Sequence, residues 1–298
     1  MYTHKSNLIL SDLLMTNKAT EYFKLLKFRL SFVVAFSSAI GFILGRLETS
    51  YLNVALVFVA GLLVTGAANI INQILEKDLD KMMKRTSKRP IPTGHLSVTE
   101  AIIFGAIIGL TGLSILWFVF NPLSAALSLL SLILYGFVYT PMKRISPICV
   151  FIGAIPGGLP PLIGWAAATG VLGVEAWILF GIQFIWQFPH FWAIAWVLDD
   201  DYKKAGFKML PMSGGKNLKT AIQIMIYTLV LIPLSLLPLQ FGMTGATSAL
   251  VAVVCGVLFL AQTFYLMRTC SKKAAMNIMF GSFLYLPIVQ IAFVLDKV

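Results

Sequence analysis

The sequence is poor in charge and rich in long apolar runs. Of its 298 residues, 12% are charged and 58% are hydrophobic, and the mean hydropathy is +0.87. Soluble domains carry about 25% charged residues. This composition excludes a soluble enzyme and is typical of an integral membrane protein in contact with a lipid bilayer. The net charge of +11 is concentrated between the apolar runs, so we expect no nucleic-acid partner.

Cysteine and histidine are also scarce. The three cysteines (Cys149, Cys255 and Cys270) are dispersed, and the sequence contains no CxxC and no Cys/His cluster. A disulfide framework and a zinc site are therefore not indicated. We expect the cysteines to serve as apolar filling.

The first 28 residues lack the signals of a cleaved leader. They contain no short apolar core followed by small residues, and no arginine precedes Arg29. Asp12 and Glu21 are unusual in a mitochondrial transit peptide. We therefore expect a cytoplasmic N-terminal segment, residues 1–28, in a protein of a bacterial inner membrane.

Nine apolar segments are each close to the roughly 20 residues that cross a bilayer. They predict an all-α integral membrane protein with nine transmembrane helices. The run GAIPGGLPP, residues 153–161, predicts a broken or kinked helix facing a cavity, because freed backbone groups need partners inside a membrane. The nine segments are approximately 30–46, 52–74, 101–119, 122–140, 147–168, 176–197, 221–239, 246–267 and 274–295.

The basic residues predict the orientation. All but two of the 23 Lys and Arg residues fall in the N-terminal segment or in the loops after every second span; the exceptions are Arg46 and Lys297. By the positive-inside rule, the N-terminus is cytoplasmic and the C-terminus lies outside. Nine of the twelve acidic residues lie on the same side, which predicts that the chemistry takes place at the cytoplasmic face.

A first acidic segment, residues 72–80, closes the second span. Asn72, Glu76 and Asp80 are spaced four residues apart, so they lie along one side of a helix. An amide and two carboxylates suit Mg²⁺, which keeps several waters and bridges phosphates. The alternative is a ladder of ion pairs that includes Lys84 at a solvated helix end.

A second acidic segment, LDDDYKKAG at 198–206, closes the sixth span. Its three consecutive aspartates cannot share one helical face. We expect Asp200 and Asp201 to bind metal and the rest to pair with Lys203 or Lys204. Each acidic segment precedes a basic, proline-containing stretch (88–94 and 208–215), which indicates two similar halves, about 29–145 and 146–298, of a single transmembrane domain.

Two acidic segments surrounded by cations describe a site for a diphosphate held by Mg²⁺. The alternative is that the cations only set topology. Tyr139 and Lys143, in YTPMKR at 139–144, face one point if this stretch is helical; otherwise they are an interfacial aromatic residue and a topology charge. The candidate cations are Lys27, Arg29, Lys84, Arg85, Lys88, Arg89, Lys143 and Arg144.

His190 lies within the sixth span, in WQFPHFWAIAW at 186–196. A histidine inside a span is costly, so it is a candidate functional residue. It is a haem ligand, a base or a hydrogen-bonding core residue. The aromatic residues around it are more typical of helix packing than of a cofactor site.

These motifs resemble those of the UbiA-type intramembrane prenyltransferases. The spacing from Asn72 to Asp80, followed by KRTSKRP, is similar to their first aspartate-rich motif, and YTPMKR is similar to their cytoplasmic Tyr-x3-Lys motif. The runs PGGLPPLIGW at 156–165 and PHFW…DDYKKAGFKMLP at 189–211 resemble the branch that prenylates haem. The resemblance covers about residues 22–295. Two departures are Glu76, where the superfamily usually has Asp, and the lack of a DxxxD spacing in the second segment.

The resemblance implies nine helices around a central cavity that opens sideways to lipid. Farnesyl diphosphate is then the donor, Mg²⁺ the metal and protohaem (haem b) the acceptor, and water completes a hydroxyethylfarnesyl side chain. A haem A synthase or a haem–copper oxidase assembly is an implied downstream partner. The implied catalytic residues are Asn72, Glu76, Asp80, Asp201, Tyr139 and Lys143; the substrate-binding residues are Arg85, Lys88, Arg89, Arg144, His190, Asp200 and Lys204; the metal ligands are Asn72, Glu76, Asp80, Asp200 and Asp201.

Two other functions are compatible with parts of the sequence. The same fold can prenylate an aromatic acceptor, such as a quinone or chlorophyll precursor, although the PHFW run argues against this. A transporter also carries repeats and intramembrane polar groups. A transporter is expected to place ionisable groups near the midplane and charge at both gates, whereas here the outer loops are almost uncharged.

Overall fold

The computed structural model describes residues 18–46, 48, 50–211 and 215–298. The expectations for residues 1–17 lie outside this described part. Within it the regular secondary structure is helical, apart from one isolated bridge between Thr244 and Lys297. The helices are α1 (Lys18–Leu25), α2 (Phe28–Leu44), α3 (Tyr51–Leu75), α4 (Lys77–Met82), α5 (Val98–Ile115), α6 (Pro122–Ile133), α7 (Thr140–Ile145), α8 (Cys149–Thr169), α9 (Val174–Lys204), α10 (Leu218–Leu234), α11 (Leu237–Gln240), α12 (Ala246–Thr269) and α13 (Lys272–Leu295).

The expected spans are present as long apolar helices. Within the described residues, eight helical segments are long and apolar enough to cross a membrane. A ninth results if α1 and α2, which meet at an angle of 48°, form one span. Two π-helical turns, Leu116–Phe120 and Leu134–Tyr139, extend α5 and α6. The cap residues Ser97, Asn121 and Asn217 accept backbone N–H groups at the first turns of α5, α6 and α10.

The helices pack in a closed order around α8 and α9. Helix α3 packs against α2 and α5, while α6 contacts α3 and α8. Helices α10, α12 and α13 follow α9, and α13 returns to α9 and α2. Helix α8 is the most enclosed of the eight membrane-spanning helices in the described part of the chain: 78% of its most apolar stretch is buried.

Helices α2 and α8 approach each other closely because two glycines lie at their contact. A Cβ atom at Gly164 would lie 1.8 Å from the carbonyl oxygen of Ser38, and one at Gly41 would lie 2.0 Å from that of Pro161. Small residues permit this backbone contact, which is a common way of packing membrane helices.

The proline-rich run does not break α8, so of the two possibilities that the sequence offered, a broken or a kinked helix, the broken helix is wrong. Helix α8 is continuous, although Pro156, Pro160 and Pro161 lie inside it. Each proline frees a carbonyl four residues earlier. Side chains of neighbouring helices bind two of these carbonyls, and Pro160 does line a cleft, as expected. Gln183 Nε2 and Gln187 Nε2 donate to the Gly157 carbonyl at 2.8 and 2.9 Å, and Ser131 Oγ donates to the Pro156 carbonyl at 3.4 Å.

Candidate active site

The first acidic segment forms a buried line of oxygen atoms where α3 passes into α4. Asn72 lies in the last turn of α3, Glu76 lies between the two helices, and Asp80 lies in α4. All three side chains are buried. The sequence therefore predicted correctly that these residues share one side of the chain. The alternative, a ladder of ion pairs along this helix end, is not what holds them, because their partners come from other elements.

Each of these three oxygen-bearing side chains accepts a hydrogen bond from a cation. Lys27 Nζ donates to Asn72 Oδ1 at 3.0 Å, and Lys143 Nζ donates to Glu76 Oε1 at 2.8 Å. Arg89 donates to Asp80 Oδ2 at 2.6 Å. Three segments distant in sequence thus converge here: the bend between α1 and α2, helix α7, and the loop after α4.

Asp80 is the most deeply buried acid of the site. Burial raises the pKa of its carboxyl group above the ordinary value; the Arg89 guanidinium opposes this rise, and the nearby Glu76 adds to it. Its second oxygen, Oδ1, is buried and has no hydrogen-bond partner among the described residues. A buried unpaired acceptor is costly, so Oδ1 is suited to bind a cation.

Lys27 owes its position to an unusual backbone conformation. It lies between α1 and α2 with φ at 47°, in the left-handed region that non-glycine residues rarely adopt. This conformation accompanies the 48° bend and brings the ammonium group to Asn72. Strained backbone of this kind is concentrated at functional sites. The sequence marked Lys27 only as one of many cations.

Tyr139 and Lys143 do face the same point. The π-helical turn Leu134–Tyr139 runs directly into α7, and Lys143 Nζ lies 4.7 Å from the centre of the Tyr139 ring. The ring of Phe207 is the second aromatic neighbour of this ammonium group, at 5.5 Å. Gly153 of α8 provides the space, because a Cβ atom there would lie 2.6 Å from the Tyr139 ring. Thr140, which the sequence analysis did not single out, accepts a hydrogen bond from Asn72 Nδ2.

Asp201 joins the second acidic segment to the first. Its carboxylate accepts the backbone N–H groups of Lys84 and Arg85 at 3.3 and 3.2 Å. These residues follow α4, so the end of α9 is fixed against the loop that carries Arg89. Lys204 pairs with the same carboxylate at 3.0 Å. Helix α9 reaches this loop because its 31 residues span about 46 Å, well beyond a bilayer core of roughly 30 Å.

The other aspartates of the second segment point elsewhere. Asp199 pairs with Lys203 at 2.8 Å and with Lys216 at 3.4 Å. Asp200 is 76% exposed and pairs with Lys216 at 3.1 Å. Asp200 and Asp201 therefore lie in different surroundings, and Asp201 alone is shown in contact with the loop after α4. Lys216 was missed because it follows Asp200, one of its two partners, by 16 residues.

The remaining predicted cations lie at the surface around this cluster. Arg85, Lys88 and Arg144 have exposed side chains. These positions suit the capture of an anion from water, whereas Lys27, Arg89 and Lys143 form the inner set.

His190 is buried in α9 and has a defined hydrogen bond. Its Nδ1 lies 2.8 Å from Ser282 Oγ, and its ring stacks on Trp186 with centroids 4.4 Å apart. Ser282 Oγ donates its own hydrogen to the Met279 carbonyl at 2.7 Å, so it accepts from His190. Nδ1 therefore carries the proton, which leaves the lone pair on Nε2. Ser282 was missed because it lies 92 residues away in sequence.

The oxygen atoms at the end of α3 fit a magnesium ion. The described residues contain no group of three His, Cys, Asp or Glu side chains arranged to hold a metal. Mg²⁺ commonly binds through one or two carboxylates, with waters and phosphate oxygens as its other ligands. Glu76, Asp80 with its unpaired Oδ1, and the Asn72 amide meet that requirement.

The fold and the site together are those of a membrane protein whose apolar helices carry a charged, oxygen-rich cluster at one end. The family description "UbiA prenyltransferase family" matches residues 33–286. The chain belongs to this family.

Several bacterial relatives are similar to the chain over nearly its whole length. A protein of Cytophaga hutchinsonii named protoheme IX farnesyltransferase is 57% identical, covering 95% of this chain and all of the relative. A protein of Flavobacterium psychrophilum with the same name is 44% identical, covering 93% of this chain and 94% of the relative.

Solved structures share the fold. A digeranylgeranylglyceryl phosphate synthase has a TM-score of 0.77 at 23% identity and covers 94% of this chain and 98% of its own. A UbiA homologue of Archaeoglobus fulgidus bound to GPP and Mg²⁺ has a TM-score of 0.65 at 16% identity and covers 92% of this chain and 99% of its own. The expectation of an all-helical intramembrane prenyltransferase is therefore confirmed.

Proposed function

We propose that this enzyme transfers the farnesyl group of farnesyl diphosphate to a vinyl group of protohaem, with addition of water, giving haem O and diphosphate. Haem is proposed as the acceptor because the chain is 57% identical, over 95% of its length, to a protein named protoheme IX farnesyltransferase. The charged cluster between α3, α7 and the loop after α4 supports the diphosphate half of the reaction.

The donor diphosphate binds at the inner cations. Lys27, Arg89 and Lys143 supply positive charge at the acidic segment, and Arg85, Lys88, Arg144 and Lys204 extend it outward. Asn72, Glu76 and Asp80 would hold Mg²⁺, with Asp201 holding the opposing loop and Asp200 further out. When bound there, Mg²⁺ would neutralise the negative charge that develops on the departing diphosphate.

The reaction breaks the bond between farnesyl C1 and the diphosphate oxygen. The electron pair leaves with the diphosphate and an allylic cation remains. The Tyr139 ring, which the Lys143 ammonium already approaches, would stabilise that positive charge through its π face. The vinyl π electrons attack C1 and form the new carbon–carbon bond. Water then adds to the cation left on the vinyl carbon and loses a proton. Apolar surroundings keep water from the allylic cation before that attack.

His190 orients the haem through its unprotonated Nε2. The hydrogen bond from Nδ1 to Ser282 fixes this tautomer, and a ligating histidine usually donates its other N–H in this way. Stacking on Trp186 fixes the ring plane. This arrangement favours ligation over a role as a base.

We place the site at the cytoplasmic side of the inner membrane, because the basic loops surround it. Haem O would pass from there to a haem A synthase or to a haem–copper oxidase assembly. An aromatic acceptor is the second candidate, since the family prenylates more than one class of acceptor. The crowding of ionisable groups at one end of the bundle disfavours a transporter.

The deciding experiment combines purified protein, haem, farnesyl diphosphate and Mg²⁺ in detergent, with products followed by mass spectrometry. We expect a haem product heavier by one farnesyl group plus water, and its loss in EDTA. Prenylation of a phenolic quinone precursor instead of haem would show that haem is not the acceptor. Turnover that persists in EDTA would reject the role of the metal.

A further inference from the structure

Lys27 differs from the other two inner cations in the kind of partner that it has. Arg89 and Lys143 each bind a buried carboxylate, whereas Lys27 Nζ donates to the neutral amide oxygen of Asn72. In the described part of the chain, no ion pair joins Lys27 to a carboxylate. Its charge is therefore available to an anion that enters the site, so whatever holds this ammonium group in place affects binding.

The bend between α1 and α2 frees backbone carbonyl groups that then need other partners. In a continuous helix the Leu26 carbonyl accepts from the N–H of Leu30, but here that N–H donates to the Lys27 carbonyl at 2.8 Å. The Leu26 carbonyl accepts from Ser31 Oγ at 2.7 Å instead. A carbonyl that is shielded from water and has no partner is costly, so this side chain stabilises the bent form of the chain.

Two buried amide side chains of α3 bind the bend from the neighbouring helix. Gln73 Nε2 donates to the Leu25 carbonyl at 2.8 Å, and Asn69 Nδ2 donates to Ser31 Oγ at 3.1 Å. These two residues and the amide that accepts from the Lys27 ammonium group lie within four positions of each other, on one face of α3. A single turn of α3 therefore holds both the backbone around Lys27 and its ammonium group.

We propose that Gln73 and Asn69 are positioning residues: they hold the bend at Lys27 and thereby set the affinity for the donor's diphosphate, acting through the ammonium group. The left-handed backbone of Lys27 is unfavourable by itself, so it persists only where surrounding bonds hold it. Without those bonds the segment relaxes and the ammonium group leaves the site. This inference rests on the proposed function for the diphosphate donor, and it adds which residues hold the cation that meets the donor.

The test measures the Kd of tritiated farnesyl diphosphate for the purified protein in detergent with Mg²⁺ and without haem. Gln73→Leu removes the bond to the Leu25 carbonyl at a similar side-chain size, and we expect the Kd to rise roughly tenfold, as does Asn69→Leu. Lys27→Met removes the ammonium group itself and should raise the Kd at least as much. In the Lys27→Met background, Gln73→Leu should change the Kd less than about twofold, because the cation through which it acts is gone.

The salt dependence of the Kd is a second readout, which a general loss of packing does not change. Dissolved ions screen the attraction between an ammonium group and a diphosphate, so each lost charge contact makes the Kd less sensitive to salt. The rise of the Kd with ionic strength should therefore be shallower in Lys27→Met than in the wild type, and shallower in Gln73→Leu as well. A wild-type salt dependence in Gln73→Leu would show that the Lys27 contact is intact there and would overturn the proposal.

The matched control is Gln290→Leu. Gln290 is also a buried glutamine, and it joins Ser37 to Gln183 where α2, α9 and α13 meet, away from the bend. This variant should lower the midpoint of thermal unfolding, as Gln73→Leu does, but keep the wild-type Kd. If Gln73→Leu does not fold, Ser31→Ala takes its place; it removes the other bond at the bend, and we expect the Kd to rise about threefold.

The outcomes separate this inference from the proposed function. Additive effects of Gln73→Leu and Lys27→Met, or an unchanged Kd in the folded Gln73→Leu and Ser31→Ala variants, would overturn the positioning role and leave the proposed reaction intact. A wild-type protein that does not bind farnesyl diphosphate would overturn both. Because haem is absent from the assay, the identity of the acceptor does not affect the result.

Discussion

At the scale of single residues, the site is governed by buried charges that require partners. Glu76 and Lys143 are both buried and are joined at 2.8 Å. Asp80 is fully buried and holds Arg89 through one oxygen only. Removing one member of such a pair leaves a buried charge, whereas removing both does not. Single and double substitutions in this cluster can therefore distinguish an effect on stability from an effect on catalysis.

We predict that Asp80→Asn lowers turnover by at least about 10²-fold, because it removes a negatively charged ligand from the proposed metal–diphosphate site. The amide oxygen still accepts from Arg89, but the largely buried guanidinium loses its charged partner, so the free energy of unfolding should also fall, by roughly 3 kcal/mol. Turnover by mass spectrometry and thermal unfolding in detergent test the two parts. Wild-type activity in this variant would contradict the metal–diphosphate assignment.

The acid limb of the pH–rate profile should report Asp80. Burial raises the pKa of its carboxyl group, so the group takes up a proton at a higher pH than an exposed aspartate does. Because the charged form is the active one, kcat/KM should fall as the pH decreases through that raised pKa. Arg89 opposes the rise, so Arg89→Met should move the acid limb to higher pH. If the acid limb of the pH–rate profile does not move in this variant, the limb reports the titration of a group other than Asp80.

The ion pair between Lys143 and Glu76 should show strong coupling. Lys143→Met leaves a buried carboxylate, which we expect to lower the free energy of unfolding by roughly 3 kcal/mol. Adding Glu76→Gln removes that charge and should recover part of the loss. Unfolding in detergent for the two single variants and the double variant measures the coupling. Strictly additive losses would show that the pair is not formed.

At the scale of helices, the prolines of α8 are accommodated by α9. The Gly157 carbonyl, freed by Pro161, receives two glutamine donors from α9. Gln183 is in turn bonded to Gln290 of α13, which accepts from Ser37 of α2. This chain of amides links four helices inside the bundle. A satisfied network of this kind favours one packing arrangement over others.

We predict that Pro161→Ala partly rescues Gln183→Leu. The single glutamine variant loses one donor to Gly157 and the bond to Gln290, at a cost of about 1 kcal/mol or more. An alanine at 161 restores a backbone N–H to the same carbonyl, which makes the glutamine less necessary. Midpoints of thermal unfolding for the two variants and their combination test this. The reference is Gln183→Leu in the native background. A decrease in unfolding midpoint for the double variant that equals the sum of the two single decreases would reject the explanation.

The spans and the first acidic segment could be read from the sequence, because apolar length and a four-residue spacing are local properties. The contacts that complete the site could not. Lys27 depends on a left-handed residue at a bend, and Asp201 bonds the backbone of Lys84 and Arg85, which any sequence offers. The continuity of α8 depends on side chains of α6 and α9. These features arise from tertiary packing and leave no pattern in one segment.

At the scale of the whole molecule, charge is divided between the two ends of the bundle. The end with α4, α7 and the last turns of α9 carries the site and most of the basic residues. At the other end, Lys297 donates to the carbonyl groups of Ile43 and Arg46. Burial lowers the pKa of Lys297, which fits its use as a local cap at the end of α2. The asymmetry predicts which end faces the cytoplasm.

We expect the charged end to be cytoplasmic, and single cysteines can test this in intact cells. In a background with Cys149, Cys255 and Cys270 changed to Ser, Glu48→Cys should react with a membrane-impermeant maleimide, because residue 48 is exposed at the end of the bundle opposite the site. Lys88→Cys is exposed at the charged end and should react only after the membrane is opened. The reverse pattern would place the diphosphate site outside the cell. Neither a cytoplasmic prenyl diphosphate nor newly made haem reaches that side, so the enzyme would need a different donor.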